Sequence, residues 1–260
     1  MVIEILCKTE EIMRECGRVM LEATRDSSMV SKKEGPANFV TTYDKLIQEK
    51  LKAGLLSLLP GSVFWGEEEE NHPDVSRGYV FIVDPIDGTT NFIRDYKQSC
   101  ISVALLCDGK QLMGAVYNPY LDEMFSAIAG GGAYLNGDKI KVSNIPVEDG
   151  IVIFGTAPYY PSLNQESFDL AYQFFQCALD VRRSGSSALD LCNIAAGRAE
   201  VFFELCLSPW DYAAGSLIVT EAGGAVTTVE GMPLSFDGPC SVMATNGKEI
   251  VFHETFIKNG

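Results

Sequence analysis

VDPIDGTTNF, residues 83–92, places two aspartates three residues apart directly behind the apolar run Tyr79–Val83. That run has the composition of a buried β-strand. Asp84 and Asp87 would repel each other there unless a cation or hydrogen-bond donors neutralise them. Gly88-Thr89-Thr90 follow, and backbone N–H groups at the start of a turn or short helix suit a phosphate. The residues alone leave two interpretations open: a metal or phosphate site, and an acid-capped turn.

Two other segments also concentrate carboxylates beside breaks in the pattern. One is the run of four glutamates Glu67–Glu70, and the other is Pro209-Trp-Asp211. Hard cations such as Mg²⁺ take oxygen ligands, usually a few carboxylates with waters and substrate phosphate. Each segment also has a simpler interpretation: a solvated loop for the glutamates, and for Asp211 an acid favoured by the helix dipole.

The composition favours a globular protein with an acidic surface. Of the 260 residues, 47% are hydrophobic and 21% are charged, and the net charge is -15. Such a surface repels nucleic acid and anionic membranes, so neither is expected as a partner. The N-terminus lacks the basic region and long apolar core of a signal peptide, which predicts a cytoplasmic protein. The eight cysteines form no C-x-x-C pair and are expected to be reduced.

The order of predicted elements indicates an α+β fold. Apolar spacing from Ile5 to Ala23 predicts a first helix. After a loop at Ser31–Asn38, a second helix is predicted to follow the segment Asn38–Asp44 and to end near Pro60-Gly61. An antiparallel meander follows, and elements alternate after Gly150. We therefore predict a layered arrangement with two tightly joined parts, residues 1–145 and residues 146–260. The meander strands are predicted at Ile101–Cys107, Leu112–Tyr117 and Glu123–Ala129, with a hairpin at Asn136-Gly137 and a final helix at the C-terminus.

Several other phosphate-site patterns are absent or misplaced. No G-x-x-x-x-G-K-[ST] loop is present, which excludes a P-loop nucleotide site. The spacing Asp-x-x-Asp differs from the Asp-x-Asp of phosphatases with an aspartyl nucleophile. Cys177 and Cys192 each precede an arginine at tyrosine-phosphatase spacing, yet both are predicted to lie in the core.

Together, these motifs resemble the inositol monophosphatase family, in order and over nearly the whole chain. The resemblance implies an αβαβα sandwich, often a homodimer, that hydrolyses phosphate monoesters of small polyols or sugars with two or three Mg²⁺ ions. The motifs that carry it are Gly66-Glu-Glu68, Val83–Phe92, Trp210-Asp-Tyr-Ala-Ala-Gly215 with Glu221-Ala-Gly-Gly224, Val40-Thr-Thr-Tyr-Asp44, and Arg182-Arg-Ser-Gly-Ser-Ser-Ala-Leu-Asp190.

The resemblance also implies roles for individual residues. Thr89 would orient the attacking water, with Asp44 as its partner, and Glu67 belongs to the same catalytic group. The implied metal ligands are Glu67, Asp84, the Ile86 carbonyl, Asp87 and Asp211. The implied substrate contacts are Asp87, Gly88, Thr89, Thr90, Gly185, Ser187, Glu204 and Asp211, with a loop lysine at Lys32 or Lys33.

The expected mechanism uses the cations as intermediaries between an acidic protein and a phosphate dianion. One Mg²⁺ would activate water and another would stabilise the leaving oxygen. Ser187, which stands where many relatives have alanine, and Ser208, in a variable loop, leave the substrate open. Alternatives are fructose 1,6-bisphosphate, histidinol phosphate or 3′-phosphoadenosine 5′-phosphate, with Arg182 and Arg183 as candidate contacts for a second phosphate. A non-catalytic metal-binding scaffold is the remaining hypothesis.

Overall fold

A computed structural model describes residues 1–24, 30–32, 39–69 and 72–250 of the chain. Within them, five layers alternate between helices and sheets. Helices α1 (Val2–Glu22) and α2 (Thr42–Leu58) cover one face of a seven-stranded sheet. A short antiparallel pair, β1 (Val30–Lys32) with β2 (Phe39–Thr41), lies between these helices in the chain.

The larger sheet follows chain order from edge to edge. Its strands β3 and β4 are parallel, and every later neighbour is antiparallel, as expected for a meander joined by short turns. The strands are β3 (Val63–Gly66), β4 (Tyr79–Asp87), β5 (Cys100–Cys107), β6 (Lys110–Asn118), β7 (Glu123–Ile128), β8 (Gly132–Leu135) and β9 (Asp138–Ile140).

The smaller sheet has five strands and mixed direction. Its order is β11-β10-β12-β14-β13, with β10 parallel to both of its neighbours. The strands are β10 (Ile151–Phe154), β11 (Asp180–Arg182), β12 (Val201–Leu207), β13 (Ala225–Thr227) and β14 (Cys240–Thr245). The remaining helices are α3 (Thr89–Ile93), α4 (Asn164–Cys177), α5 (Ser187–Ala195) and α6 (Pro209–Glu221).

Helices α5 and α6 fill the space between the two sheets, and α4 covers the outer face of the smaller one. The packing of strand β4 explains why its sequence is apolar and does not alternate with polar residues. Phe81 and Val83 pack towards α1 and α2, whereas Val80 and Ile82 pack towards α5 and α6. Because both faces are buried, every position of the strand favours an apolar side chain.

A glycine allows the central helix to approach the larger sheet. A Cβ atom at Gly114 on β6 would lie 2.6 Å from the carbonyl oxygen of Ala214 on α6. Only a residue without a side chain fits between this strand and this helix. The position of α6, and of everything at its N-terminus, therefore depends on that contact.

The predicted αβαβα architecture is confirmed. The predicted boundary between residues 145 and 146 lies between the two sheets, and the division into two parts stays a prediction. No helix in the described part of the chain combines the length and apolarity needed to cross a membrane.

Several predicted boundaries are wrong by one to four residues. Strand β4 does not end at Val83 but continues to Asp87, because pairing with β5 resumes there after a bulge. The loop predicted from Ser31 begins instead within a strand, since Ser31 pairs with Val40. Lys33, Glu70 and the predicted final helix, where it falls in residues 251–260, lie outside the described residues.

Candidate active site

A cavity of about 500 Å³ opens where the end of β4 meets the N-terminal ends of α3, α5 and α6. Strand β12 and the segment after β10 complete its wall. Six carboxylates and one guanidinium lie on this surface. Its lining residues are Glu67, Asp84, Ile86, Asp87, Gly88, Thr89, Thr90, Asn91, Gly155, Pro158, Tyr159, Tyr160, Arg183, Gly185, Ser186, Ser187, Asp190, Glu204, Cys206, Leu207, Ser208, Trp210 and Asp211.

The bulge in β4 brings its two aspartates to one side of the cavity. The Ile86 N–H donates to Asp84 Oδ1 at 2.9 Å, and the Thr89 hydroxyl donates to the Ile86 carbonyl at 3.2 Å. Gly88 then turns the chain with φ = 84°, and a Cβ there would lie 2.8 Å from the Gln98 carbonyl oxygen. The turn therefore requires glycine and directs α3 away from the strand.

Donors from α5 hold Asp87 in place. Its Oδ2 accepts hydrogen bonds from the Ser186 hydroxyl at 2.5 Å and from the Ala188 N–H at 2.9 Å. The Cys100 thiol lies 3.6 Å from the same oxygen. One oxygen of Asp87 is thus fixed by the helix N-terminus, where partial positive charge favours a carboxylate.

Glu67 and Asp211 reach the same place from neighbouring elements. Strands β3 and β4 are parallel with Gly66 opposite Val83, so the residues that follow, Glu67 and Asp84, lie side by side. The Glu67 N–H donates to the Val83 carbonyl at 3.1 Å. Asp211, in the first turn of α6, accepts from the Ser208 N–H at 2.8 Å. It thereby caps the helix while it lines the cavity.

These acids form a cluster that a cation would neutralise. Asp84, Asp87 and Asp211 each offer a carboxylate oxygen, and the three oxygens lie within 4.8 Å of one another. Burial, and then the charges of Glu67, Asp87 and Asp211, raise the pKa of Asp84 well above its usual range. Burial, followed by the charges of Asp87 and Glu67, does the same for the pKa of Asp211. Buried acids that repel one another, with oxygen donors only, fit a hard divalent cation.

The predicted substrate side lies across the cavity on β12 and α5. Glu204 is 6% exposed, and burial raises its pKa although hydrogen bonds from Ser187 and Ala157 oppose the rise. Gly185 has φ = 87° and lies beside the Arg183 guanidinium. The structure therefore gathers Glu204, Ser187 and Gly185 in the same cavity as the acid cluster.

Asp44 does not lie on the cavity surface. It is buried in the first turn of α2, where Oδ2 accepts from the Thr41 N–H at 2.7 Å. Its charge raises the pKa of Asp84, so it stands behind the acid cluster. The predicted pairing of Asp44 with Thr89 stays a prediction.

The two arginines considered for a second phosphate differ in position. The guanidinium of Arg182 pairs with Asp180 at 2.5 Å and does not line the cavity. Arg183 does line it, and its Nη2 lies 3.3 Å from the Thr156 hydroxyl. No ion-pair partner of Arg183 occurs among the residues that the structure describes.

Sequence reasoning assigned no site role to Asp190, Ser186 or Tyr159, which all line the cavity. Asp190 is 2% exposed, and its Oδ1 has no hydrogen-bond partner among the residues that the structure describes. Burial raises the pKa of this carboxyl well above its usual range. In the sequence, the available signal was its position three residues after Ser187, which is one turn away if the segment is helical. Tyr159 follows β10 in a loop whose sequence gives no indication of its contacts.

A sequence model of the Inositol monophosphatase family matches residues 3–258. Together with that match, the fold and the acid-lined cavity define a phosphatase of the inositol monophosphatase type, and the chain belongs to the inositol monophosphatase family. The Nus factor SuhB of Vibrio cholerae is 36% identical over 221 residues, 84% of this chain and 82% of that protein. The inositol-1-monophosphatase of Bacillus subtilis is 32% identical over 235 residues, 90% and 89% of the two chains.

Solved structures agree with this assignment. The extragenic suppressor protein suhB from Bartonella henselae is 33% identical, and the two structures superpose with a TM-score of 0.85. The match covers 94% of this chain and 93% of that one.

Proposed function

We propose that the protein is a Mg²⁺-dependent phosphate monoester hydrolase that acts on myo-inositol monophosphates. The observation that carries the proposal is the convergence of Asp84, Asp87 and Asp211 within 4.8 Å, at the wall of a cavity that also holds Glu204. A solved inositol monophosphatase with inositol monophosphate bound is 27% identical to this chain, with a TM-score of 0.79. That relative supports the choice of substrate.

The residues divide between cations and substrate. Glu67, Asp84, the Ile86 carbonyl, Asp87 and Asp211 would hold the Mg²⁺ ions, two or three in number. When bound, such ions supply Lewis acidity that makes water a better nucleophile and neutralises charge on the ester oxygens. Without them, a cavity with six carboxylates would repel a phosphate dianion.

The protein's own groups position the reactants. Thr89 would hold the attacking water through its hydroxyl, which the Ile86 carbonyl already orients. The amides of Gly88, Thr89 and Thr90 would bind phosphate oxygens, because the first N–H groups of a helix have no partner within it. Asp87 and Glu204 would accept hydrogen bonds from polyol hydroxyls and so fix the ring.

Phosphate release from a panel of monoesters, with and without Mg²⁺, tests the proposal. We expect the highest kcat/KM with myo-inositol 1-phosphate and loss of activity after chelation with EDTA. A clear preference for another phosphate would refute the substrate assignment. Undetectable hydrolysis across the panel, with normal Mg²⁺ binding, would instead favour a non-catalytic metal-binding scaffold.

A substrate with a second anionic group is the alternative, and Arg183 favours it. This side chain is the one cation on the cavity wall among the described residues, and no carboxylate pairs with it there. Fructose 1,6-bisphosphate and 3′-phosphoadenosine 5′-phosphate belong to this class, whereas histidinol phosphate carries one phosphate. Arg183→Ala should then raise KM for a bisphosphate about tenfold. Arg182→Ala, which removes the neighbouring but ion-paired guanidinium, is the matched control.

Homodimerisation and cytoplasmic localisation are also part of the proposal. The family resemblance implies the homodimer. Nucleic acid and membranes are not proposed as partners because the net charge is -15. Sedimentation of the full chain tests the dimer, which should persist at micromolar concentration.

A further inference from the structure

Two successive serines at the start of α5 donate to two different carboxylates of the cavity. The Ser186 hydroxyl donates to Asp87 Oδ2, on the side of the acid cluster. The Ser187 hydroxyl donates to Glu204 Oε2 at 2.8 Å, on the opposite side. Two neighbouring serine hydroxyls therefore bind carboxylates on opposite sides of the cavity.

Glu204 is held on several sides. The Ala157 N–H donates to its Oε1 at 2.8 Å, so each carboxylate oxygen has one donor from the protein. Ala157 adopts φ = 42°, a conformation rare for residues other than glycine, and this turns its N–H group inward. A Cβ atom at Gly155 would lie 1.9 Å from Glu204 Oε2, so the glycine leaves the carboxylate its space.

This arrangement leaves Glu204 able to accept further hydrogen bonds in one orientation. A carboxylate has about four acceptor positions, and the two protein donors occupy one on each oxygen. Within the described part of the chain no other donor reaches Glu204, and because this residue lines the cavity, the remaining positions face space that substrate hydroxyls can enter. A carboxylate fixed before binding loses less side-chain freedom when a polyol arrives.

We infer that Ser187 is a positioning residue that sets polyol specificity by holding the Glu204 carboxylate towards the substrate's hydroxyl groups. The inference rests on the proposed function, because it needs a phosphate ester with neighbouring hydroxyls. If the inference holds, loss of the hydrogen bond from Ser187 to Glu204 should change how the enzyme discriminates between substrates. Loss of a purely structural hydrogen bond would not have this effect. In this role Ser187 acts through Glu204 and takes no part in the chemistry.

Two Mg²⁺-dependent activities of the full chain separate the possibilities: hydrolysis of myo-inositol 1-phosphate and of p-nitrophenyl phosphate, whose leaving group offers no hydroxyl to Glu204. Ser187→Ala should lower kcat/KM for the inositol ester about tenfold more than for the aryl ester, mainly through KM. Ser187→Thr, which keeps the hydroxyl, should restore the wild-type ratio. In a Glu204→Gln background, Ser187→Ala should have no further selective effect, because the two residues act as one unit.

Ser186→Ala is the matched comparison, because it removes a hydroxyl of the same kind from the other carboxylate. It should lower both activities to a similar degree and raise the Mg²⁺ concentration required. Equal loss of both activities in Ser187→Ala, or no loss of either, would overturn the inference alone. If the wild-type protein hydrolyses neither ester with Mg²⁺, the proposed function fails and the inference fails with it.

Discussion

Asp87→Asn should make the metal-free protein more stable and the enzyme nearly inactive. The substitution keeps the shape of the side chain and its contacts with Ser186 and Ala188, and removes one negative charge from the acid cluster. Burial raises the pKa of Asp87 in the folded protein despite these hydrogen bonds. Folding therefore disfavours the ionised form, and a neutral isostere relieves that cost at neutral pH.

The distances between the acids set an upper bound on the stability that Asp87→Asn can gain. Carboxylate oxygens within 4.8 Å of one another repel by about 3.5 kcal/mol per fully ionised pair at an effective dielectric constant of about 20. Partial protonation of the cluster reduces this repulsion, and Asn accepts weaker hydrogen bonds than Asp. We therefore expect a net gain of about 1–3 kcal/mol in the free energy of unfolding. For a chain of this size, that gain raises the unfolding midpoint by about 2–10 °C.

Thermal unfolding in EDTA measures the expected gain in stability, and activity in saturating Mg²⁺ measures the expected loss of catalysis. The loss of an expected metal ligand should lower kcat/KM more than about a hundredfold, equivalent to several kcal/mol in the transition state. Mg²⁺ should raise the midpoint of the wild-type protein and have much less effect on the variant. Asp138→Asn, on the exposed strand β9, is the control for loss of one charge.

Two results would refute this reasoning. A lower midpoint for Asp87→Asn in EDTA would mean that the ionised carboxylate stabilises the fold through its donors. Near-normal activity at saturating Mg²⁺ would mean that the cluster does not hold the catalytic ions.

Three other substitutions test parts of the structure that surround the cluster. Burial raises the pKa of Asp190, so its charge costs stability at pH values above the ordinary carboxyl pKa. Asp190→Asn should therefore raise the free energy of unfolding near pH 8 by about 1 kcal/mol, measured as a higher unfolding midpoint, and the gain should vanish as the pH falls towards 4. Gly155→Ala would force its methyl group against Glu204 and should lower kcat/KM for the inositol ester at least about tenfold, whereas unchanged kinetics would contradict the close contact. Gly114→Ala would press on the Ala214 carbonyl and should cost about 1–3 kcal/mol in denaturant unfolding, with no loss if α6 can move aside freely.

The acid cluster was predictable because its members lie in short motifs with distinct local patterns. Asp84 and Asp87 lie at the end of an apolar strand, and Asp211 lies in the first turn of an apolar helix, so each is near the end of an element. That these ends meet follows from parallel β3 and β4 and from the packing of α6 between the sheets. The family resemblance supplied this arrangement, since local periodicity carries no information about which elements are neighbours.

Other features depend on contacts that leave no local pattern. Strand β4 continues beyond its apolar run because Asp87 pairs with Cys100, thirteen residues later. The burial of Asp190 depends on α5 lying beneath the cavity. The bond from Ser187 to Glu204 joins a helix and a strand, and each residue alone looks like an ordinary polar position.

Gly114 contributes no functional group, yet its contact with α6 sets the position of Asp211. The helix that begins with Pro209 passes over β6 at Ala214, so its first turn can reach the cluster only if that crossing stays close. Mutational tolerance should therefore be poor at a site on the larger sheet that bears no chemistry. In a saturation screen for phosphate release, we expect residue 114 to behave like the acids themselves. Its variants should lose activity through displacement of a ligand that they never touch.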